Sequence, residues 1–245
     1  MTRNWCDLPN ELKWMIVDRM DIITRNSTER LIELSCAEEG HEMIKCMLHA
    51  FMSPQNVRMK ALIIDKLKLD DVFPNIGFKL HAKELSLFRT NCEESEKWFN
   101  VLTKKPEKLE FRSSPWNGIG LHPMVMNVNS LDIMSWNDIN NDQLMNLKAT
   151  TISLFRSLVT ATGINAFAKK MIKEDYPIGA YMHFHDDTEH IEWDPLVLGL
   201  KSEPLVDEEK DYKARVKMST KKDLIISLHE EVVGLLVVSI KANAI

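Results

Sequence analysis

The sequence predicts a mixed chain of α+β / α/β class. A small all-helical module covers residues 1–50, an irregular strand–helix stack covers 51–200, and an antiparallel strand meander closes the chain over 201–245. Three observations predict this order. A Leu-Pro helix start opens the chain, apolar-x-apolar triplets recur every twenty-odd residues, and three apolar β-rich runs lie close together at the end.

The first helix begins at Leu8-Pro9. Pro suits the first helical position, where its missing N–H would have no intrahelical partner. Asp7 is placed to cap it, and Glu11 falls in the first turn, where the helix dipole favours negative charge. Leu12, Met15, Ile16, Val17 and Met20 then recur at the spacing of a helix with one apolar face.

Past residue 60 the triplets Leu85-x-Leu87, Leu109-x-Phe111, Leu131-x-Ile133 and Ile152-x-Leu154 are separated by 24, 22 and 21 residues. Leu62-x-Ile64 precedes them by 23, and Met182-x-Phe184 follows after 30. Helical patterns fill three of the gaps: Glu94–Thr103, Asn140–Leu147 and Gly163–Lys173, the last with Ile164, Phe167, Ala168 and Met171 in one stripe. Ser113–Asn127 has little helical pattern and is expected to be an irregular connection. A strand–helix period of 20–29 residues is the mark of leucine-rich-repeat stacking, in which neighbours share one core. The polar residue such repeats place three positions after the second strand apolar would be Thr90, Ser114, Trp136 and Ser157 here. An open parallel α/β sheet is the competing architecture. Gly118-Ile119-Gly120 lacks the strand-turn-helix setting of a phosphate loop.

Leu198-x-Leu200 and an acidic linker at Glu203–Lys210 lead to strands at Asp211–Met218, Asp223–Leu228 and Val232–Ile240. Their short turns imply a meander that caps the last repeat, whose edge would otherwise expose unpaired backbone groups. Val232–Val238 reads as a buried strand.

Composition narrows function. A net charge of −5, with no basic run, argues against a nucleic-acid surface. No stretch approaches the roughly twenty apolar residues of a membrane helix. Cys6, Cys36, Cys46 and Cys92 lack paired metal spacing and no signal-peptide pattern opens the sequence, so reduced thiols in cytosol or nucleus are expected.

The run Trp5-Cys6-Asp7-Leu8-Pro9-Asn10-Glu11-Leu12, continued by Ile16, Val17, Met20-Asp21 and Thr24-Arg25 and followed by Leu31, Leu34, Ser35 and Cys36, resembles an F-box. The version looks like that of the large nematode family carrying an F-box-associated region. Trp136-Asn137-Asp138-Ile139 and Val159-Thr160 through Ile164-Asn165-Ala166-Phe167-Ala168-Lys169 are similar to that second region. The resemblance implies a short helix ending near Ser35 and Cys36 and a third from Glu39 to Ala50. It implies that Leu8, Pro9, Glu11, Leu12, Ile16, Val17, Met20 and Leu31 dock on the Skp1 adaptor of a cullin complex. It further implies that the remainder holds a client protein, and that the chain is an adaptor rather than an enzyme, without cofactor. Asn26-Ser27-Thr28-Glu29 departs from the family as extra residues after the first helix. An interaction scaffold without the ligase link is therefore the second reading.

Strand side chains alternate between faces. With Leu85, Leu87 and their equivalents in the core, Phe88, Arg112, Met134 and Phe155 form a ladder on the other face. Aromatics, Met and Arg are enriched at interface cores, so an open ladder would recognise a client; a covered one would be a second core. His183-Phe184-His185-Asp186-Asp187 with His190 is the one cluster with metal-ligand character, and it alone supports a third reading, a metal-dependent hydrolase. No activating carboxylate pair accompanies it, and the expectation is a His-rich surface turn with no metal. Cys36 and Cys46 stand at helical spacing among apolar residues and are expected to pack rather than react.

Overall fold

The computed structural model describes residues 30–35, 57–65, 79–112, 118–185, 191–205, 212–229 and 232–240, with the backbone alone for 30–35 and 57–59. The chain divides into two compact units, Met1–Ser114 and Pro115–Ile245.

The described part of the first unit holds strands β1 (Arg30–Ser35), β2 (Val57–Asp65), β3 (Leu80–Phe88) and β4 (Lys108–Phe111). They are parallel neighbours in chain order. The predicted triplets fall into register: Leu62 opposite Leu85 opposite Leu109, and Ile64 opposite Leu87 opposite Phe111. All six are buried, each such apolar side chain contributing about 1.5–3 kcal/mol. Helix α1 (Cys92–Val101) makes the crossover from β3 to β4 that parallel strands require. Asn91 caps it, its side chain accepting from the Glu94 amide at 2.9 Å, and its buried Trp98 and Phe99 complete this core. Phe99 meets Phe111 edge to face at 6.3 Å.

Arg30–Ser35 is a strand, where the F-box resemblance implies a short helix reaching Ser35 and Cys36. Leu31 therefore stands opposite Ala61 in a sheet. The helices expected over residues 1–29 and 39–50 lie outside the described residues.

In the second unit β5 (Ser130–Ile133), β6 (Thr151–Phe155) and β7 (Tyr181–His185) are parallel. Leu131, Ile152 and Met182 form one buried row, and Ile133, Leu154 and Phe184 the next. A 3-10 turn (Ile119–Leu121) and helix α2 (Pro123–Asn127) occupy part of the segment predicted to be irregular. Pro123 at the first helical position is the start signal there. Helix α3 (Asn141–Asn146) carries a capping box between Asn140 and Gln143. Helix α4 (Ala161–Lys173), capped by Thr160, buries the predicted stripe of Ile164, Phe167, Ala168 and Met171. The two helix starts meet closely. Asn141 Oδ1 accepts from the Thr160 amide at 3.0 Å, and a Cβ on Gly163 would fall 1.9 Å from that same oxygen.

Helix α5 (Trp193–Val197) ends at Leu198, so Leu198-x-Leu200 forms the turn out of a helix. Asn165 of α4 holds this end, donating to the Leu196 carbonyl at 2.6 Å. Strand β8 (Ser202–Pro204) enters what the sequence marks as linker; β9 (Tyr212–Lys217), β10 (Lys222–His229) and β11 (Val232–Ser239) match the predicted meander within two residues. The order β7-β11-β10-β9-β8 is antiparallel throughout. Strand β11 is not buried on both faces as its apolar run suggests. Val233, Leu235 and Val237 are core, while Leu236 is 37% exposed.

Candidate interaction face

Alternation leaves each unit's sheet with one apolar core face and one face of mixed side chains. In the first unit Ser86 of β3 and Glu110 of β4 are opposite one another on the mixed face. Ser86 Oγ donates to Glu110 Oε2 at 3.0 Å, and Arg112 Nε donates to Glu110 Oε1 at 2.5 Å. Burial works against the Glu110 charge, but the hydrogen bonds from Arg112 and Ser86 outweigh it and hold its carboxyl below the ordinary range. The Arg112 guanidinium lies 5.0 Å from the Phe88 ring centroid, an aromatic–cation pair on an exposed surface. Beside it Arg89 holds Asp65 with two hydrogen bonds, one from Nε at 2.7 Å and one from Nη2.

In the second unit Met134 is 52% exposed just past β5, and Phe155 is half-buried. The Phe155 ring meets His185 edge to face at 4.6 Å and carries the Arg156 guanidinium at 5.2 Å. The predicted ladder thus has Phe88 and Arg112 in one unit, Met134 and Phe155 in the other. The C-terminal strands do not lie over the second unit's mixed face. They extend its sheet edge to edge, β11 pairing with β7.

One repeat escapes the triplet count. Ser86-Leu87-Phe88-Arg89-Thr90 and Ser153-Leu154-Phe155-Arg156-Ser157 are nearly the same run, and Arg89 and Arg156 both have φ 51°. A left-handed Arg costs about 1–2 kcal/mol, and such strain concentrates where it re-aims functional side chains. The literal Ser-Leu-Phe-Arg repeat is the signal that finds them.

The polar ladder is displaced by one residue at its best position. Trp136 is 42% exposed, whereas Asn137 is 1% exposed. Asn137 Nδ2 donates to the carbonyls of Ser135 and Phe155 at 3.1 and 3.0 Å, and its Oδ1 accepts from the Ile139 amide. Thr90 is buried against Ser95, with their hydroxyls 3.1 Å apart. Ser157 Oγ accepts from the Val159 amide, and Ser114 lies outside the described residues.

Among the described residues no group of three or more His, Cys, Asp or Glu is arranged to hold a metal ion. Asp186, Asp187 and His190 lie outside them. His183 stacks on Tyr181 at 5.9 Å, and burial, reinforced by His185 and partly opposed by Asp132, pushes its imidazole below the ordinary value. Cys92 is exposed at the start of α1, and burial with Glu96 and Glu93 pushes its thiol up, away from the reactive thiolate. Leu8, Pro9, Glu11, Leu12, Ile16, Val17 and Met20, and Cys6, Cys36 and Cys46, lie outside the described residues. Among the described residues no helix is long and apolar enough to cross a membrane. No family model, curated protein or solved structure matches the chain.

Proposed function

We propose that the chain is the substrate-recognition adaptor of an SCF-type ubiquitin ligase in the cytoplasm or nucleus. It docks on Skp1 and its cullin complex through the N-terminal module and holds a client on the mixed sheet faces. Its strand–helix stack is read as irregular leucine-rich-repeat packing, and the adaptor is not an enzyme. The mechanism is proximity: tethering raises the effective concentration of client lysines near the charged conjugating enzyme. The observation that carries the Skp1 half is the run Trp5 to Asp21, with Leu8, Pro9, Glu11, Leu12, Ile16, Val17 and Met20 as contacts. Leu31 is not carried as a contact, because it lies in β1. The client half is supported by the Arg112–Phe88 pair and by the Met134 and Phe155 side chains in the second unit, whose sheet the C-terminal strands extend rather than cover.

A second reading, an interaction scaffold without the ligase link, is favoured by β1 occupying the place of the second docking helix. Co-purification with Skp1 separates the two, with a Leu8→Ala/Pro9→Ala chain as control. Alanine at Arg112 and Phe155 together is expected to abolish client capture while sparing Skp1. Loss of folding in that variant would make the face a second core.

A further inference from the structure

The second unit's mixed face is not flat. Register across six neighbouring strands places Asp132, Ser153, His183, Gly234, Ser227 and Lys213 in one row that crosses the strands. All six are half-buried, and three are small. One flanking row is larger: Tyr181, Leu236 and Ile225, with the first two 39% and 37% exposed. The other flank carries Phe155, His185 and Val232. A polar floor thus runs between two rows of larger side chains, each apolar in part: Tyr181, Leu236 and Ile225 on one side, Phe155 and Val232 about His185 on the other. Gly234 deepens it, since a Cβ there would meet Ser227 Oγ at 2.7 Å.

Five interstrand steps of about 4.8 Å make the floor about 24 Å long, the span of about seven extended residues. Its ends differ in charge. Asp132 stands at the β5 end. At the β9 end Lys213, Arg215 and Lys217 alternate onto this face, set against Asp223, 3.6 Å from Arg215, and Glu203. Hydroxyl and imidazole groups along the floor suit a peptide backbone, and Tyr181, Leu236 and Ile225 on one side with Phe155 and Val232 on the other suit its apolar side chains.

We infer that this trough binds an extended peptide of about seven residues, laid across the strands with an acidic end over β9. The inference rests on the client-recognition half of the function proposed above and is independent of the Skp1 half. Binding is measured on the full chain by fluorescence anisotropy with labelled Ser/Val heptapeptides. One is neutral, one carries a Glu pair at its N-terminal end, one a Glu pair at its C-terminal end, and two carry Lys pairs at those ends.

One Glu-ended peptide is expected to bind at least tenfold tighter than the neutral and Lys-ended ones. Lys213→Glu with Lys217→Glu is expected to reverse that preference. Ser153→Trp, which fills the floor at an already half-exposed site, is expected to weaken every peptide at least tenfold. Ser227→Ala with Gly234→Leu fills it a second way without the Oγ clash, and cooperative thermal unfolding identifies the folded variants. Equal binding of Glu- and Lys-ended peptides overturns the inference. So does undiminished binding by either filled variant that unfolds cooperatively. A chain that retains Skp1 but binds none of the peptides sinks the trough alone; one that binds them without Skp1 sinks only the ligase link.

Discussion

Asn137 Nδ2 reaches across from the loop after β5 to the carbonyl of Phe155 on β6, 3.0 Å away, tying two neighbouring strand ends together from inside the protein. The same side chain satisfies the Ser135 carbonyl and the Ile139 amide, so one residue pairs three backbone groups. Asn137→Ala leaves them without that partner in a buried site. A cost of about 2–4 kcal/mol is expected, from about 1–3 kcal/mol per unsatisfied buried group with part recovered by water. A drop in the urea midpoint at unchanged slope would register it; a shift under 1 kcal/mol would show the loop holds without it.

The strands and the main helices were legible because their cause is local. A triplet such as Ile152-x-Leu154 has period 2, and the α4 stripe has period 3.6, whatever surrounds them. Asn137 was less legible, because fixed spacing points to Trp136 and only the turn's path decides which side chain turns inward. β8 was hidden because its pairing, Glu203 opposite Arg215, is long-range and its composition is that of a linker. Of the face, Phe88, Arg112 and Phe155 follow from alternation alone. The trough does not, since its row depends on β11 inserting between β7 and β10.

Gly163 is required by the meeting of α3 and α4. Alanine is the better helix former by about 1 kcal/mol, yet its methyl would overlap the Asn141 side chain. Gly163→Ala is expected to destabilise by about 1–3 kcal/mol, the usual cost of overpacking. Adding Asn141→Gly should recover part of that loss in thermal unfolding. A Gly163→Ala chain as stable as wild type would show that the helix starts can separate freely.

Glu110 ties stability to acid. Its folded-state value lies below its unfolded one, so its contribution is complete above about pH 4.3 and is lost as pH falls through the folded value. Arg112→Ala removes the strongest hydrogen bond and should bring the carboxyl upward toward its unfolded value, shrinking the stability lost on acidification. Glu110→Gln should flatten that part of the profile. Chemical denaturation between pH 3 and pH 6, about the span that brackets a carboxylate, reads both. A Glu110→Gln profile identical to wild type would refute the role.

His183 acts in the neighbouring pH range. Burial favours its neutral form, so the unfolded chain takes up its proton first as pH falls below about 6.5. Stability should therefore decline on acidification, by at most about 1.4 kcal/mol per pH unit from this group. His183→Gln should remove that share, with Asp132, His185 and Tyr181 left in place. Urea midpoints measured on both sides of that value decide it. An equal decline in the variant would assign the effect to another group.

The adaptor reading stands or falls on Skp1. Calorimetric titration of purified Skp1 into the full chain is expected to give a one-to-one complex, with alanine at Leu8 and Pro9 weakening it at least tenfold and leaving thermal unfolding of the rest unchanged. Absence of binding by the wild-type chain, or affinity indifferent to those two substitutions, would contradict it.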